Sequence, residues 1–378
     1  MTTRALAGSR ARRACALIAT FSVAGCAAAG MGSGSPAPTT GSATDRSVGQ
    51  PAVGWHVETL EHVDLWLHGF ALLTSDTGRV PFFARGYKQH VTELKRQKNI
   101  FTQLDANQKE LSARFATNPS LANAQFVAMY FSSFPEIVNA TDLLIRSGGD
   151  PRASSDPQIQ QEIALLAANF PTQADRNWLR QFVQSLQDES TRFYHAYWTG
   201  EQQARGPALA AFREAWMSKY YPKFSRFLNN TQQSAGRLVL SVTLGGEGRT
   251  INDGKQSNMI AVEFPTTVNA APEALFGFAH ESVAQLVAEA IRDNTTAAEQ
   301  RSGATDGYTG NGAVRGGALL MQRLAPDLVQ NYMRFYLRTL GTTPPNGDVT
   351  TAFAAGFPVP QAILTAVGHQ IDVILGGI

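Results

Sequence analysis

The residues best suited to chemistry are a His-Glu pair, His280-Glu281, inside an apolar stretch of the chain. An imidazole nitrogen is the commonest metal ligand, and an adjacent carboxylate can act as a general base on a metal-bound water. A helical zinc site needs a second ligand four residues after the first, because side chains at that spacing share one helix face. That position is Ala284, whose methyl group has no lone pair. The sequence therefore offers His280 as a candidate ligand and Glu281 as a candidate base, without the second ligand.

The segments before this pair suggest a relationship to a known family. Two strand-like segments, Arg237 to Leu244 and Met259 to Phe264, precede a helix that carries His280-Glu281. This order resembles the zincin metallopeptidases, in which an edge strand binds substrate and the next helix carries His-Glu-x-x-His. The resemblance implies zinc as cofactor, with His280 as the first zinc ligand and Glu281 as the general base. Because Ala284 replaces the second ligand and the following long helix lacks a carboxylate for the third, the resemblance implies a degenerate member of the family.

The surroundings of His280 also permit a purely structural role. Its neighbours on the same helix face include Phe276, Ala284 and Val287, all of them apolar. A lone histidine on such a face is commonly a core residue that donates one ring nitrogen to a carbonyl or carboxylate. Three interpretations stay open at this point: a core histidine, a relic or modified metal site, and an active hydrolase. Glu281 lies one residue further around the helix, where it could be solvated.

Two further side chains are candidates for lining a pocket beside this pair. Arg315 precedes Gly316-Gly317-Ala318, and such small residues let a helix approach its neighbour closely. If that neighbour is the His280 helix, Arg315 could pair with Glu281 and keep a buried carboxylate ionised. Tyr332, on a following amphipathic helix, is the second candidate, although an aromatic helix face normally belongs to a core.

The elements that position these residues predict an α+β fold that is predominantly α-helical. Residues 51–235 have helical periodicity, with breaks expected at Gly78 to Pro81, at Gly148 to Pro151, near Pro171 and at Gly206-Pro207. Residues 236–378 are expected to form a small antiparallel β unit followed by helices, the first of which runs from about Pro272 to Asp293. The two regions are expected to form one globular body.

The N-terminal residues predict an export signal. Residues 1–25 combine a basic start with a short apolar stretch and end in Val23-Ala24-Gly25, directly before Cys26. This pattern resembles a bacterial lipobox, which implies that the leader is removed as a signal peptide and that Cys26 is acylated. Residues 26–50 are nearly all Ala, Gly, Ser, Thr and Pro, a composition typical of a flexible linker. The resemblance implies a lipid-anchored protein of the cell envelope, in the outer membrane if the organism is Gram-negative.

Charge and cysteine content exclude several classes of protein. The chain has 32 basic and 30 acidic residues, and the four arginines of residues 1–25 leave with the leader, so the remainder is slightly acidic. No basic field remains that would favour nucleic acid. The chain has 2 Cys, neither of which lies after residue 26, so the folded region has no disulfide and no cysteine nucleophile.

Two functional hypotheses follow. The first is a non-catalytic, membrane-anchored binding or scaffolding domain of the degenerate zincin-like type, with no cofactor expected. The second is a metal-dependent, peptidase-like hydrolase that uses zinc, with His280 as ligand and Glu281 as base. The bilayer is the partner implied by Cys26, while the sequence identifies no particular protein or peptide partner.

Overall fold

The computed structural model describes residues 54–74, 82–246, 248–252, 258–303, 305–341 and 348–376. The leader, Cys26 and the linker of residues 26–50 lie outside the described residues. The described residues are mostly helical, with a small mixed sheet of four strands. The predicted class, α+β and predominantly α-helical, is confirmed.

The sheet differs from the predicted antiparallel unit. Its strands are β1 (Trp55–Glu58), β2 (Gly236–Ser241), β3 (Arg249–Asn252) and β4 (Asn258–Glu263), in the order β1-β2-β4-β3. Strands β1, β2 and β4 are parallel, and only the edge strand β3 is antiparallel to its neighbour β4. The prediction of an antiparallel β2–β4 pair was therefore wrong, because β3 intervenes and reverses the chain. The prediction of a wholly helical region before residue 235 also missed β1.

Helices on one side of the sheet come from the first half of the chain. They are α1 (Glu61–Leu73), α2 (Tyr87–Gln97), α3 (Gln103–Thr117), α4 (Phe134–Arg146), α5 (Pro157–Asn169) and α6 (Gln173–Glu189), with 3-10 helices at Pro119–Tyr130 and Pro151–Ala153. Local sequence signals fix several of their starts. Thr102 and Asp105 form a capping box before α3, and Thr172 and Asp175 do the same for α6.

Helix α6 continues without interruption into a further helical run, whose buried residues belong first to one hydrophobic core and then to the other. The continuation consists of a π-helical turn (Ser190–Tyr194), α7 (His195–Ala215), a second π-helical turn (Trp216–Tyr220) and α8 (Tyr221–Asn230). Each π turn inserts an extra residue and so rotates the buried stripe around the helix axis. The break predicted at Gly206-Pro207 was wrong, because Pro207 lies inside α7.

The remaining helices cover the opposite face of the sheet. They are α9 (Glu273–Ser282), α10 (Ala284–Asp293), α11 (Ala297–Arg301), α12 (Asp306–Leu324), α13 (Val329–Thr339), α14 (Val349–Gly356) and α15 (Gln361–Ile374), with 3-10 helices at Val268–Ala270 and Pro326–Leu328. The single helix predicted from Pro272 to Asp293 is in fact two helices, α9 and α10, that meet at Val283.

The sheet separates two hydrophobic cores. Val239 and Ala261 face a core built mainly from α1 to α6, whereas Leu240 and Val262 face a core built mainly from α8 to α15. Alternation along each strand sends successive side chains to opposite cores. Both halves of the chain therefore depend on the same four strands.

No single helix of the described segments combines the length and hydropathy that crossing a bilayer would require. Helices α14 and α15 reach the required hydropathy only when taken together, and the chain bends by 111° between them.

Candidate functional site

His280 lies on α9, between the sheet and α12, and is 5% exposed. Its Nδ1 atom is 3.4 Å from Glu281 Oε1 and has no hydrogen-bond partner within the described residues. Its ring packs edge-on against Tyr336, with the centroids 5.7 Å apart. His280 is therefore enclosed by core groups, and its buried nitrogen is left without a partner.

Glu281 is also buried, so the expectation of a solvated carboxylate was wrong. It is 8% exposed, and its Oε2 accepts a hydrogen bond of 2.7 Å from Thr250 Oγ1. Thr250 lies on β3, the antiparallel edge strand. The structure thus brings the edge strand β3, which the sequence analysis did not predict, into contact with the helix that carries His280 and Glu281.

Helix α9, which carries His280 and Glu281, ends at Ser282, so position 284 does not continue the helix face of His280. Gln233 Nε2 donates to the backbone carbonyl of Ser282 at 3.1 Å, and Ser282 Oγ donates to the carbonyl of Ala279 at 3.1 Å. These side-chain bonds satisfy carbonyls near the end of α9 and compete with helical bonding there. Ala284 therefore begins α10 instead of continuing the face of His280.

The donor atoms around His280 do not suit zinc. Structural and catalytic zinc sites use at least three protein ligands. Among the described residues, no group of three or more His, Cys, Asp or Glu side chains is placed to hold a metal ion. The zinc site implied by the resemblance consequently does not fit the residues present.

The predicted contact between Arg315 and Glu281 is not formed. The Arg315 guanidinium instead faces the carbonyls of Ala354 and Phe357, at 3.5 and 3.4 Å from Nη1, and stacks over the Phe353 ring. It points towards α14 because α12 presents Arg315 and its glycines to different neighbours. Arg315 is thus not part of the surroundings of Glu281.

Tyr332 does lie beside the His280 helix, where it fills space. A Cβ atom built on Gly317 would lie 2.2 Å from Tyr332 Oη and 3.1 Å from His280 Cα. The Tyr332 hydroxyl donates to the Val314 carbonyl at 2.8 Å, and burial raises the pKa of Tyr332 well above its usual value. The close approach predicted for the small residues of α12 is confirmed, and Tyr332 fills the space where α12 meets α9.

A larger polar cluster lies on the other side of the sheet, and we name it the buried network. It consists of Asp64, His68, Tyr87, Lys95, Thr102, Glu189, Ser241 and Thr243. Its centre is Glu189, whose Oε1 is 3.1 Å from His68 Nε2 and whose Oε2 accepts a bond of 2.8 Å from Lys95. His68 Nδ1 is 2.9 Å from the Tyr87 hydroxyl, which also accepts from Thr243 at 3.3 Å. Helices α1, α2 and α6 and the end of β2 are joined through these groups.

The surroundings of Glu189 favour the ionised form of its buried carboxyl group. Burial would raise the pKa of Glu189, but the hydrogen bond from His68 and the positive charges of His68 and Lys95 together lower it to about 2. Thr102 also donates to Glu189. Three polar side chains, those of His68, Lys95 and Thr102, therefore hold one carboxylate ionised in a region where both His68 and Glu189 are 0% exposed.

The network reaches the carboxyl ends of the parallel strands, where a second carboxyl group behaves in the opposite way. Asp64 accepts from Ser241 Oγ at 2.5 Å and from Trp198 Nε1 at 2.9 Å, yet burial raises its pKa to about 6. Glu263 pairs with Ser241 in the sheet register, and burial, reinforced by the charge of Glu273, raises its pKa to about 7. Two carboxyl groups whose pKa values are raised towards neutral pH thus lie at the carboxyl ends of the parallel strands. Open parallel sheets usually bind ligands at this end.

Sequence reasoning missed this cluster because its members are far apart in the chain. Glu189 follows His68 by 121 residues, and Lys95 precedes Glu189 by 94. One signal was available: Asp64 and His68 lie four residues apart in the otherwise apolar first helix, on one face. A polar stripe inside a buried helix requires partners from elsewhere in the fold.

The lipidation predicted at Cys26 concerns a position outside the described residues. A functional assignment of the folded part therefore rests on the geometry of the described residues. Comparison with protein-family models, with curated proteins and with solved structures gives no match to this chain.

Proposed function

We propose that this chain is a lipid-anchored envelope protein whose folded part is a non-catalytic binding or scaffolding domain of degenerate zincin-like type. The observation that carries the non-catalytic assignment is the set of donor atoms around His280. Its neighbour Glu281 is bonded to Thr250 within the fold, and Ala284 starts a separate helix. An isolated histidine with one carboxylate supplies too few ligands for the zinc that a hydrolase of this kind would need.

The degenerate zincin-like part of the proposal has its own support. The edge strand β3 contacts the helix that follows β4, through Thr250 and Glu281. The resemblance itself rests on the sequence order of the segments at β2 and β4 and the helix after them, and β3 adds an edge strand beside that helix. The alternative, a zinc-dependent hydrolase with Glu281 as general base, shares this juxtaposition and differs in its metal content.

Metal analysis distinguishes the two functions. The chain from residue 26 onward, purified after exposure to excess zinc and then dialysed, is expected to retain no stoichiometric zinc, and zinc is expected to leave its thermal unfolding midpoint unchanged. The matched variant His280→Ala should give the same zinc content. One zinc per chain that is lost in His280→Ala would refute the non-catalytic assignment and establish the hydrolase as the better hypothesis.

The membrane anchor is tested separately by cell fractionation. Acylation of Cys26 would supply the chains that hold the protein at a bilayer, since stable anchoring takes two acyl or equivalent signals. We expect Cys26→Ser to shift the protein from the membrane fraction to the soluble envelope fraction. Cys15→Ser, which changes the other cysteine of the chain, is the control and should leave the distribution unchanged. An unchanged membrane pool in Cys26→Ser would refute lipidation.

A further inference from the structure

Helix α8 and the π turn before it contribute basic side chains and no acidic one to their exposed surface, on which Asp327 from a neighbouring segment also lies. Between Trp216 and Asn230 the charged residues are Lys219, Lys223 and Arg226, and none is acidic. All three are exposed, and Met217 beside them is 62% exposed. We name these four residues the basic face. It combines positive charge with an exposed apolar side chain.

The end of α15 extends this surface. Asn230 Nδ2 donates to the Ile374 carbonyl at 2.7 Å, which fixes α8 against α15. The Arg226 guanidinium lies over Gly376, where a Cβ atom would be 2.0 Å from Nη2. Val373, close to this junction in sequence, is 43% exposed. A second exposed apolar side chain therefore lies near the basic face.

Part of the positive charge on this face is balanced within the protein. Lys219 pairs with Asp327 at 3.0 Å, in an exposed contact that contributes little. The charge of Lys223 also lowers the pKa of Asp327, although the two side chains form no direct ion pair. Arg226 forms no ion pair with any other residue of the described segments, so it is available to an external anionic partner.

The position of the first described residues indicates which partner this is. A Cβ atom on Gly54 would lie 2.9 Å from Tyr221 Oη, and Trp216 Nε1 donates to the Trp55 carbonyl at 3.1 Å. The folded body therefore begins against the first turn of α8. Whatever precedes residue 54, including the proposed anchor at Cys26, is attached beside the basic face.

We propose that the basic face docks on the anionic surface of the bilayer to which the protein is anchored. This inference rests on the proposed lipid anchor, which would hold the face at high local concentration near the headgroups. Lys and Arg side chains next to an anionic leaflet each strengthen binding by about fivefold, and this attraction weakens with salt. The folded domain would then lie along the membrane in one orientation, with α8 facing the lipid.

The test uses the chain from residue 26 onward with Ser in place of Cys26, so that neither leader nor acyl chain contributes. Sedimentation with vesicles of phosphatidylglycerol and phosphatidylcholine is compared with vesicles of phosphatidylcholine alone. We expect weak, salt-sensitive binding to the anionic vesicles only. The double variant Lys223→Glu/Arg226→Glu should bind at least tenfold more weakly.

The matched control is Lys98→Glu/Lys109→Glu, which changes net charge equally at exposed positions in the α2–α3 region, on the other side of the sheet. It should bind like the parent chain, and the unfolding midpoints of all three proteins should agree. Equal binding of both double variants, or no preference of the parent for anionic vesicles, would overturn the inference. Because these vesicle measurements need no acyl chain, they can fail while the Cys26→Ser fractionation succeeds, and the reverse.

Discussion

His68 and His280 are both buried, both lie on apolar helices and both have a glutamate beside them, yet their surroundings differ. His68 uses both ring nitrogens, one towards Glu189 and one towards Tyr87. His280 has a buried Nδ1 without a partner, and Glu281 is held by Thr250. The hydrogen bonding of the adjacent pair, His280 and Glu281, is thus less complete than that of His68 and Glu189, which come from distant parts of the chain.

The difference shows what sequence adjacency contributes. Consecutive helical residues point about 100° apart, so neighbouring His and Glu side chains cannot easily share a direct, well-aligned bond. Residues on separate helices can be oriented towards each other by packing. The buried network should therefore govern stability, whereas the pair at His280-Glu281 should be energetically replaceable.

The largest expected effect follows from removing the carboxylate at the centre of the network. Glu189→Ala leaves His68 buried without its carboxylate acceptor and removes one of the two carboxylates beside Lys95, which keeps Asp105 at 2.7 Å. The free energy of unfolding should fall by about 3 kcal/mol. Glu281→Ala removes one hydrogen bond and should cost about 1–2 kcal/mol. Urea unfolding at neutral pH measures both, and equal losses would contradict the contrast between the two clusters.

The pH dependence of stability should come from Asp64 and not from Glu189 in the range from pH 4 to 7. Because the folded-state pKa of Asp64 is about 6, above its ordinary 3.8, its protonation favours the folded state and that contribution is lost as pH rises through 6. Glu189 has a lowered pKa of about 2, so its contribution is lost only as pH falls below about 4.5.

Asp64→Asn, which stays neutral, should therefore gain up to about 3 kcal/mol relative to the parent protein between pH 4 and pH 7. Glu263→Gln should act in the same direction, with its change centred nearer pH 7. Unfolding free energies measured at several pH values provide the check. A parallel pH profile for the parent protein and Asp64→Asn would show that Asp64 titrates normally.

The packing that closes the surroundings of His280 can be tested with two glycines of α12. Gly317→Ala would place a methyl group against Tyr332 and should destabilise the fold by about 1–3 kcal/mol. Gly310→Ala meets no atom within 4 Å and should stabilise α12 by up to about 1 kcal/mol. Thermal unfolding of the two variants should therefore shift in opposite directions. Shifts of the same sign would mean that α12 is not in tight contact with α9.

The smallest effect is expected at His280 itself. His280→Met replaces an imidazole whose buried nitrogen lacks a partner with an apolar side chain of similar volume, so stability should change by less than about 1 kcal/mol. The same substitution at His68 should cost about 2–3 kcal/mol, because Tyr87 and Glu189 each lose a partner. A large loss for His280→Met would reveal a structural role for this histidine that its hydrogen bonding does not explain.

Local signals predicted local features well. Small residues at Gly316-Gly317 predicted a close helix contact, and hydrophobic periodicity predicted the helical class. The end of α9 was missed because no Gly or Pro marks it in the sequence. The hydrogen bond to the Ser282 carbonyl at this end is donated by Gln233, which lies in a loop distant in sequence. Strand β1 was missed because a four-residue strand is too short to show a periodic pattern. The buried network was missed because its geometry depends on tertiary packing.

The first strand has a consequence for how the chain acquires its structure. Trp55, at the start of β1, donates through its indole to the carbonyl of Gln233, 178 residues later, and β1 pairs only with β2. During synthesis from the N-terminus, this strand cannot pair until residues 59–235, nearly half of the chain, have followed it. Closure of so long a loop is slow, and an unpaired strand is open to wrong association in the meantime. A delay in export, or a truncation before β2, should therefore cause aggregation and proteolysis before any functional defect is seen.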